Sequence, residues 1–351
     1  MNNFIRTLSL WSVCLLCLSA CEGKFTMPSA SGRPYEVLVV VGDSLWQRPA
    51  GRALFDVLDT DIPGLPQPER SFRISQTDPK RFNQILNIFR NIIIVDIDKK
   101  QYTQTTYKYS RDVFARPQVV MKIQSPSEEE FAAFVKKNSA TIIDFFVKIE
   151  MNRLVNELEK KHSTVASQLA QETFGCQLWA PSEMKSYKKG KDFFWVSSNS
   201  ATSMVNMCMY SYPYEGPSTF NKRYVLAKRD SIMKVNIPGS KPYMYMATDT
   251  LCTTVRPINV KGQYAMEIRG LWQMENDGMG GPFVSHSRVD TTANRVVVVE
   301  GFVFAPEKMK RGLIRRVEGA LYTLCLPDEQ ARQISINIPE VEVVATKEQE
   351  Q

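Results

Sequence analysis

The chain has 351 residues, 43% of them hydrophobic and 23% charged, with a formal net charge of +7. A chain of this length and apolar content builds its cores without staples, and it is neither disordered nor fibrous in composition. The mild basic excess bears on solubility and non-specific attraction to anionic surfaces, not on a site.

Residues 1–20 have the three parts of a bacterial export signal: Arg6 in a short start, the apolar run Leu8 to Leu18, and small residues before a cysteine. The run is 11 residues long, and a membrane-spanning helix needs roughly 20. Leu18-Ser19-Ala20-Cys21 resembles the lipobox of bacterial lipoproteins. That resemblance implies cleavage before Cys21 and acylation of its sulfur and amino group, with palmitate among the acyl chains. The chemistry needs a cysteine there, because a thiolate takes the diacylglyceryl group. At about 0.8 kcal/mol per buried CH₂, two or three acyl chains hold a protein firmly. The expected location is therefore the cell envelope, on the outer membrane and facing the periplasm, where nucleic acid is not a partner. Cys14 and Cys17 spell C-x-x-C but fall inside the signal core and read as apolar filler. Glu22–Pro34 is small, polar and proline-punctuated, so residues 21–34 read as a flexible tether.

Residues 35–149 read as an α/β half. "YEVLVVV" (Tyr35–Val41) is a β-branched run of a strand buried on both faces. "AGRALFDVLDT" carries a helical stripe. "IPGLPQPER" is a proline-rich loop and "SFRISQ" an alternating strand. "DPKRFNQILNIF" predicts a helix with Asp78 as N-cap and Pro79 at N1. "NIIIVDI" is a second buried strand. This β-α-β-α-β order predicts an open sheet with parallel pairing. A polar aromatic loop and a strand at "PQVVMKIQ" follow. Ser127 and Glu130 form a capping box, and helical periodicity then runs to Gly175, a C′ glycine. Either one long helix bridges two halves there, or helices meet near "KKNSA" or "KKHST", with the divide placed at 149/150.

Residues 150–327 read as a strand-rich α+β half. "DFFWVSS", "MVNMCMYSY", "PYMYMAT", "YAMEIRGLWQM", "PFVSHSRVD" and "RVVVVEGFVF" predict strands, and "ENDGMGG" and "TTAN" join the last three into an antiparallel meander. "STFNKRYVLAKRDSIMKVN" and "PEKMKRGLIRRVEGALYTLC" predict helices, and residues 328–351 read as a polar tail. Cys176, Cys208, Cys252 and Cys325 allow three pairings or buried free thiols, and the sequence does not choose.

"SGRPYEVLVVVGDSLW", "GRALFDVLDTDIPGLPQPERSFRISQ", "FRNIIIVDID" and "GLWQMENDGMGGPFVSHSRVD" together resemble a family of Bacteroidota lipoproteins, Bacteroides-type, described only as a domain of unknown function. The resemblance spans the exported chain. It implies a shared fold and an envelope location, with no activity or site residue attached.

Several chemistries lack their motifs. There is no P-loop, no G-x-S-x-G elbow and no H-E-x-x-H, and two distant histidines do not make a His-rich metal site. No cofactor and no metal are expected. "DTDIPG" begins like a calcium loop, but position 12 is Arg70, so it reads as a turn. Asp277 within the glycine-rich "NDGMGG", and Glu275 and His286 on either side of it, are the candidate catalytic groups of an enzyme reading. Tyr210, Tyr212 and Tyr214 share one face of an extended segment and, with Trp272, are the candidate ligand-facing aromatics, although core packing is the plainer reading. Lys308, Arg311 and Arg315 form a basic stripe that fits a solvated helix face or an anionic lipid surface. Asp-Ser/Thr triplets at Ser44, Ser231, Thr250 and Thr291 resemble the O-glycosylation sequon of exported Bacteroidota proteins. The expectation is an envelope lipoprotein serving as a binding or accessory module for an envelope protein or an anionic glycan or lipid. The alternative is a hydrolase- or transferase-like envelope enzyme acting on a glycan or peptidoglycan component.

Overall fold

The computed structural model describes residues 27–200 and 202–332. Cys21 and the signal residues before it, with Cys14 and Cys17, lie outside them. Among the described residues, no helix is long and apolar enough to cross a membrane.

The N-terminal half is a mixed five-stranded sheet. Strand β1 (Glu36–Val40) leads into two short helices, α1 (Asp43–Gln47) and α2 (Pro49–Leu58), before β2 (Arg73–Thr77), β3 (Asn91–Ile97), β4 (Thr106–Arg111) and β5 (Val119–Ser125). The spatial order is β2-β1-β3-β5-β4, with β4 antiparallel on the edge and the remaining pairs parallel. Val37 and Val39 face one core, against α2 and the helices that follow β5, while Leu38 and Val40 face another. That is why the β1 sequence is apolar without alternation.

The helix expected at Asp78–Phe89 is corrected. Asp78 does cap, accepting from the Lys80 backbone N–H at 2.9 Å, but only a 3₁₀ turn, Pro79–Arg81, follows. Asn83 then turns its side chain onto the N–H groups of Ile85 and Leu86, competing with helical backbone bonding. The irregular segment still covers the second sheet face through Phe82, Leu86 and Phe89.

Three helices join the halves. In α3 (Glu128–Lys137), the Ser127 hydroxyl accepts from the Glu130 N–H at 3.2 Å, as the capping box predicts. Asn138 separates it from α4 (Ser139–Lys160), and α5 (Thr164–Phe174) ends on Gly175 at φ 69°. The helical stretch thus breaks at both of the places offered as alternatives, giving three helices instead of one or two, and the divide set at 149/150 falls inside α4. Ile142 to Met151 of α4 pack in the first core, and Val155 and Leu158 pack in the second.

The second half is a seven-stranded antiparallel sheet: β6 (Ser186–Gly190), β7 (Phe193–Ser197), β8 (Met204–Pro213), β9 (Met246–Val260), β10 (Gln263–Met274), β11 (Gly280–Asp290) and β12 (Arg295–Phe304). The order is β6-β7-β8-β12-β11-β10-β9, so the predicted meander of β10 to β12 closes back onto β8, and β9 adds to it on the far edge. One face packs on α5, the end of α4, and α7 (Arg311–Leu321). The other packs on α6 (Lys222–Asn236).

Both expected flexible ends are shorter than expected. Arg116 donates its N–H to the Pro28 carbonyl (2.8 Å), and its own carbonyl accepts from Ala30 (3.0 Å), so the last residues of the 21–34 tether lie along the first half. At the other end α8 (Pro327–Arg332) brings Glu329, fully buried, onto Arg288 at 3.1 Å. That part of the expected 328–351 tail is docked by a buried ion pair, and residues 333–351 lie outside the described residues. All four cysteines of the described chain are free thiols: Cys176, Cys208 and Cys325 are buried, and Cys252 is exposed. Burial pushes the Cys176 thiol up to about 12, which leaves it an unreactive packing residue.

Candidate functional site

Two loops from opposite halves meet at one end of the large sheet. The proline-rich loop is pinned at its base, where Ile62 donates to the Glu69 carbonyl (2.9 Å) and Arg70 pairs with Asp59 at 2.6 Å. This is the residue that spoils the calcium-loop pattern, and the pairing accounts for the segment as a turn. Gly64 sits at φ 78°, with the backbone N of Gly270 in β10 3.3 Å from where a Cβ would stand. A side chain would strain the loop and hold it off the sheet. Glu69 then reaches into the second half. Its Oε1 accepts from the Lys310 N–H (2.7 Å) and its Oε2 from the Arg311 N–H (2.8 Å), so the carboxylate caps α7 across the junction.

The glycine-rich loop supplies the opposite wall. Gly281 lies so close to β12 that a Cβ would stand 2.0 Å from the Val303 carbonyl, which only glycine permits. Between the loops lies a groove of about 400 Å³. Trp272 and Phe304 form an apolar wall, Gln67 and Gly278 edge it, and Asp249 and Lys310 supply opposite charges. The Trp272 indole N–H donates to Val303 at 3.2 Å, which fixes the ring. Domain junctions of this size with an aromatic wall and few polar groups are where ligand sites concentrate.

The predicted catalytic groups do not come together. Asp277 accepts from the Gly278 N–H and Glu275 from the Gln273 side chain, both in the exposed turn after β10 and neither in the groove lining. His286 is opposite Glu267 in the sheet register. That is about 20 Å further along β10 at ordinary strand rise. His286 is fully buried, with Nε2 3.7 Å from Glu267 Oε2 and its ring edge-on to Tyr322 at 4.8 Å.

Around it lies a buried ion network that the sequence did not reveal. Glu267 accepts from Arg256 (2.7 Å) and Arg269 (2.9 Å), Arg269 pairs with Glu318, and Glu318 accepts from Arg315 (2.9 Å). Arg315 also lies over the Tyr35 ring at 5.4 Å, so the network joins the two halves. Burial pushes the Glu267 carboxyl up, but Arg269 and His286 outweigh it and hold the group well below the usual range. Arg315 is thus corrected from a basic surface stripe to a buried junction residue. Glu267, Arg269, Glu318 and Arg315 are buried while Arg256 closes the network at the surface, and its ion pairs clamp the two halves together. A signal for it existed in the alternation of Glu267, Arg269 and His286, which places charges on one inward face.

Tyr210 and Tyr212 are core residues on the α6 face, with ring centroids 6.5 Å apart. Tyr214, one step further, is half-buried at a separate pocket, and Trp272 lines the groove. Ser44, Ser231, Thr250 and Thr291 are all exposed, with Ser231 in mid-α6. No group of three or more His, Cys, Asp or Glu suited to a metal occurs among the described residues.

No curated protein and no solved structure matches the chain. Residues 30–159 match the family model of a domain of unknown function, DUF8532, and residues 163–323 match that of a second, DUF4837. The chain therefore carries two domains of unknown function that meet at the end of α4, with the groove between them.

Proposed function

We propose that this protein is a lipid-anchored lipoprotein of the bacterial outer membrane, of the Bacteroidota type, that faces the periplasm and holds an amphipathic envelope ligand in the groove between its two domains. The observation that carries the reading is the groove itself. A fixed indole and the Phe304 ring face an apolar surface of the ligand, while Asp249 and Lys310 offer an acceptor and a donor at its polar end. The Glu69 cap and the buried ion network keep the two walls at a set spacing, so little ordering entropy is lost on binding. The export signal and Cys21 supply the membrane address, and the mild positive charge favours anionic envelope components.

Native mass spectrometry of the protein extracted from its own membranes tests this. The expected result is a bound non-protein mass that disappears in Leu271→Trp, a substitution that fills the groove from its half-buried wall. An empty wild-type protein, or a mass retained by the variant, contradicts the reading.

A further inference from the structure

A second cavity of about 490 Å³ lies at the other end of the same sheet. Tyr264 and Gln263 open β10 there, whereas Trp272 lies near its far end. The two sites are roughly 25 Å apart along the strand. Three rings form the wall. Tyr214 and Phe220 have centroids 6.1 Å apart, and Phe220 meets Tyr264 edge-on at 5.2 Å. Tyr264 is 53% exposed, so a large aromatic surface is left in water beside a concavity. The Gln263 amide and the Thr291 hydroxyl supply neutral hydrogen-bonding groups.

Charge narrows the ligand. The one ionisable side chain in the lining besides the tyrosines is Arg288, whose terminal nitrogens are committed to Glu329 and the Leu324 carbonyl and whose Nε is buried away from solvent. A cavity with apolar ring faces, uncharged donors and acceptors, and no available ion suits a ligand with a flat C–H face and a rim of hydroxyls.

We infer that this cavity binds a neutral saccharide, with a pyranose ring laid against Tyr264 and Phe220 and its hydroxyls bonded by Gln263 and Thr291. The inference does not rest on the groove reading, because the two sites share no residue.

The test is saturation-transfer NMR on the full chain in a non-glycosidic detergent, with maltotetraose, cellotetraose and chitotetraose as neutral probes and tetragalacturonate as the charged control. The expected result is transfer to the ring C–H protons of at least one neutral probe and none to the charged control. Affinity should fall about tenfold in Tyr264→Ala, the loss of one stacking ring. Tyr264→Phe should keep it, as should Tyr187→Ala, which removes a comparably exposed tyrosine elsewhere. Unchanged circular dichroism shows that each variant folds. Absence of transfer from every neutral probe, preference for the charged one, or equal binding by the Tyr264→Ala and Tyr187→Ala variants overturns the inference.

Discussion

Glu267 shows how a single residue sets the pH response of the junction. Its carboxylate is buried between Arg256 and Arg269 with His286 beside it, and its native pKa lies well below the ordinary 4.5. A depressed carboxyl contributes stability that is fully present above the unfolded value and is lost as pH falls through the native one. Glu267→Gln leaves Arg269 its bond to Glu318 but removes the charge between two guanidinium partners, Arg256 and Arg269. Urea melts should show a loss of about 3 kcal/mol at pH 7. Between pH 4.5 and 3 the variant should lose less further stability than the wild-type chain; parallel acid limbs would contradict the assignment. The sequence exposed only part of this. Period-two alternation put Glu267, Arg269 and His286 on one strand face each, but which residues faced one another depended on the register of β10 against β11, which a single sequence does not state. Tyr210 and Tyr212 were legible as core for the converse reason: their own spacing already placed them on one face.

At the scale of elements, the helix cap across the junction is the most exposed to test. Glu69 comes from a loop of the first half and satisfies two backbone donors of α7 in the second. Glu69→Ala should destabilise the fold by about 1–2 kcal/mol in thermal or urea melts, and Glu69→Gln by less, since the amide oxygen still accepts from one donor. Equal melts for wild type and Glu69→Ala would show that water replaces the carboxylate without cost. Strong local signals located most elements: the β-branched runs of β1, β3 and β12, the Ser127 cap and Gly175. Residues 82–89 carry a helical pattern, yet Asn83 diverts the backbone and Gln118 takes the Asn87 and Phe89 carbonyls at 2.6 and 2.7 Å. The edge strands β4 and β6 are polar and have one neighbour each, so little burial was written into them. The divide at 149/150 missed because α4 serves both cores and has no compositional break there.

For the whole molecule, the groove was the least legible feature. Its walls are a proline-rich loop and a glycine-rich loop far apart in the chain. Each reads as a turn, and only the pairing of two halves makes a site of them. Trp272 was singled out and lines it; Asp249 entered only as the first residue of a glycosylation-type triplet, and Phe304 and Lys310 not at all, because nothing in their local spacing marks a ligand site. The same fold separates the groups that the enzyme reading needed together, since the strand that carries His286 runs away from the turn that carries Asp277. The proposed function joins the inter-domain groove to a lipid anchor at Cys21, and the anchor is the premise of that proposal. Membrane fractionation of cells producing the full chain or Cys21→Ala tests that premise most directly. The wild-type protein is expected to sediment with outer membranes and the variant to appear in the soluble periplasmic fraction. A Cys21→Ala protein that remained with the membranes would contradict it.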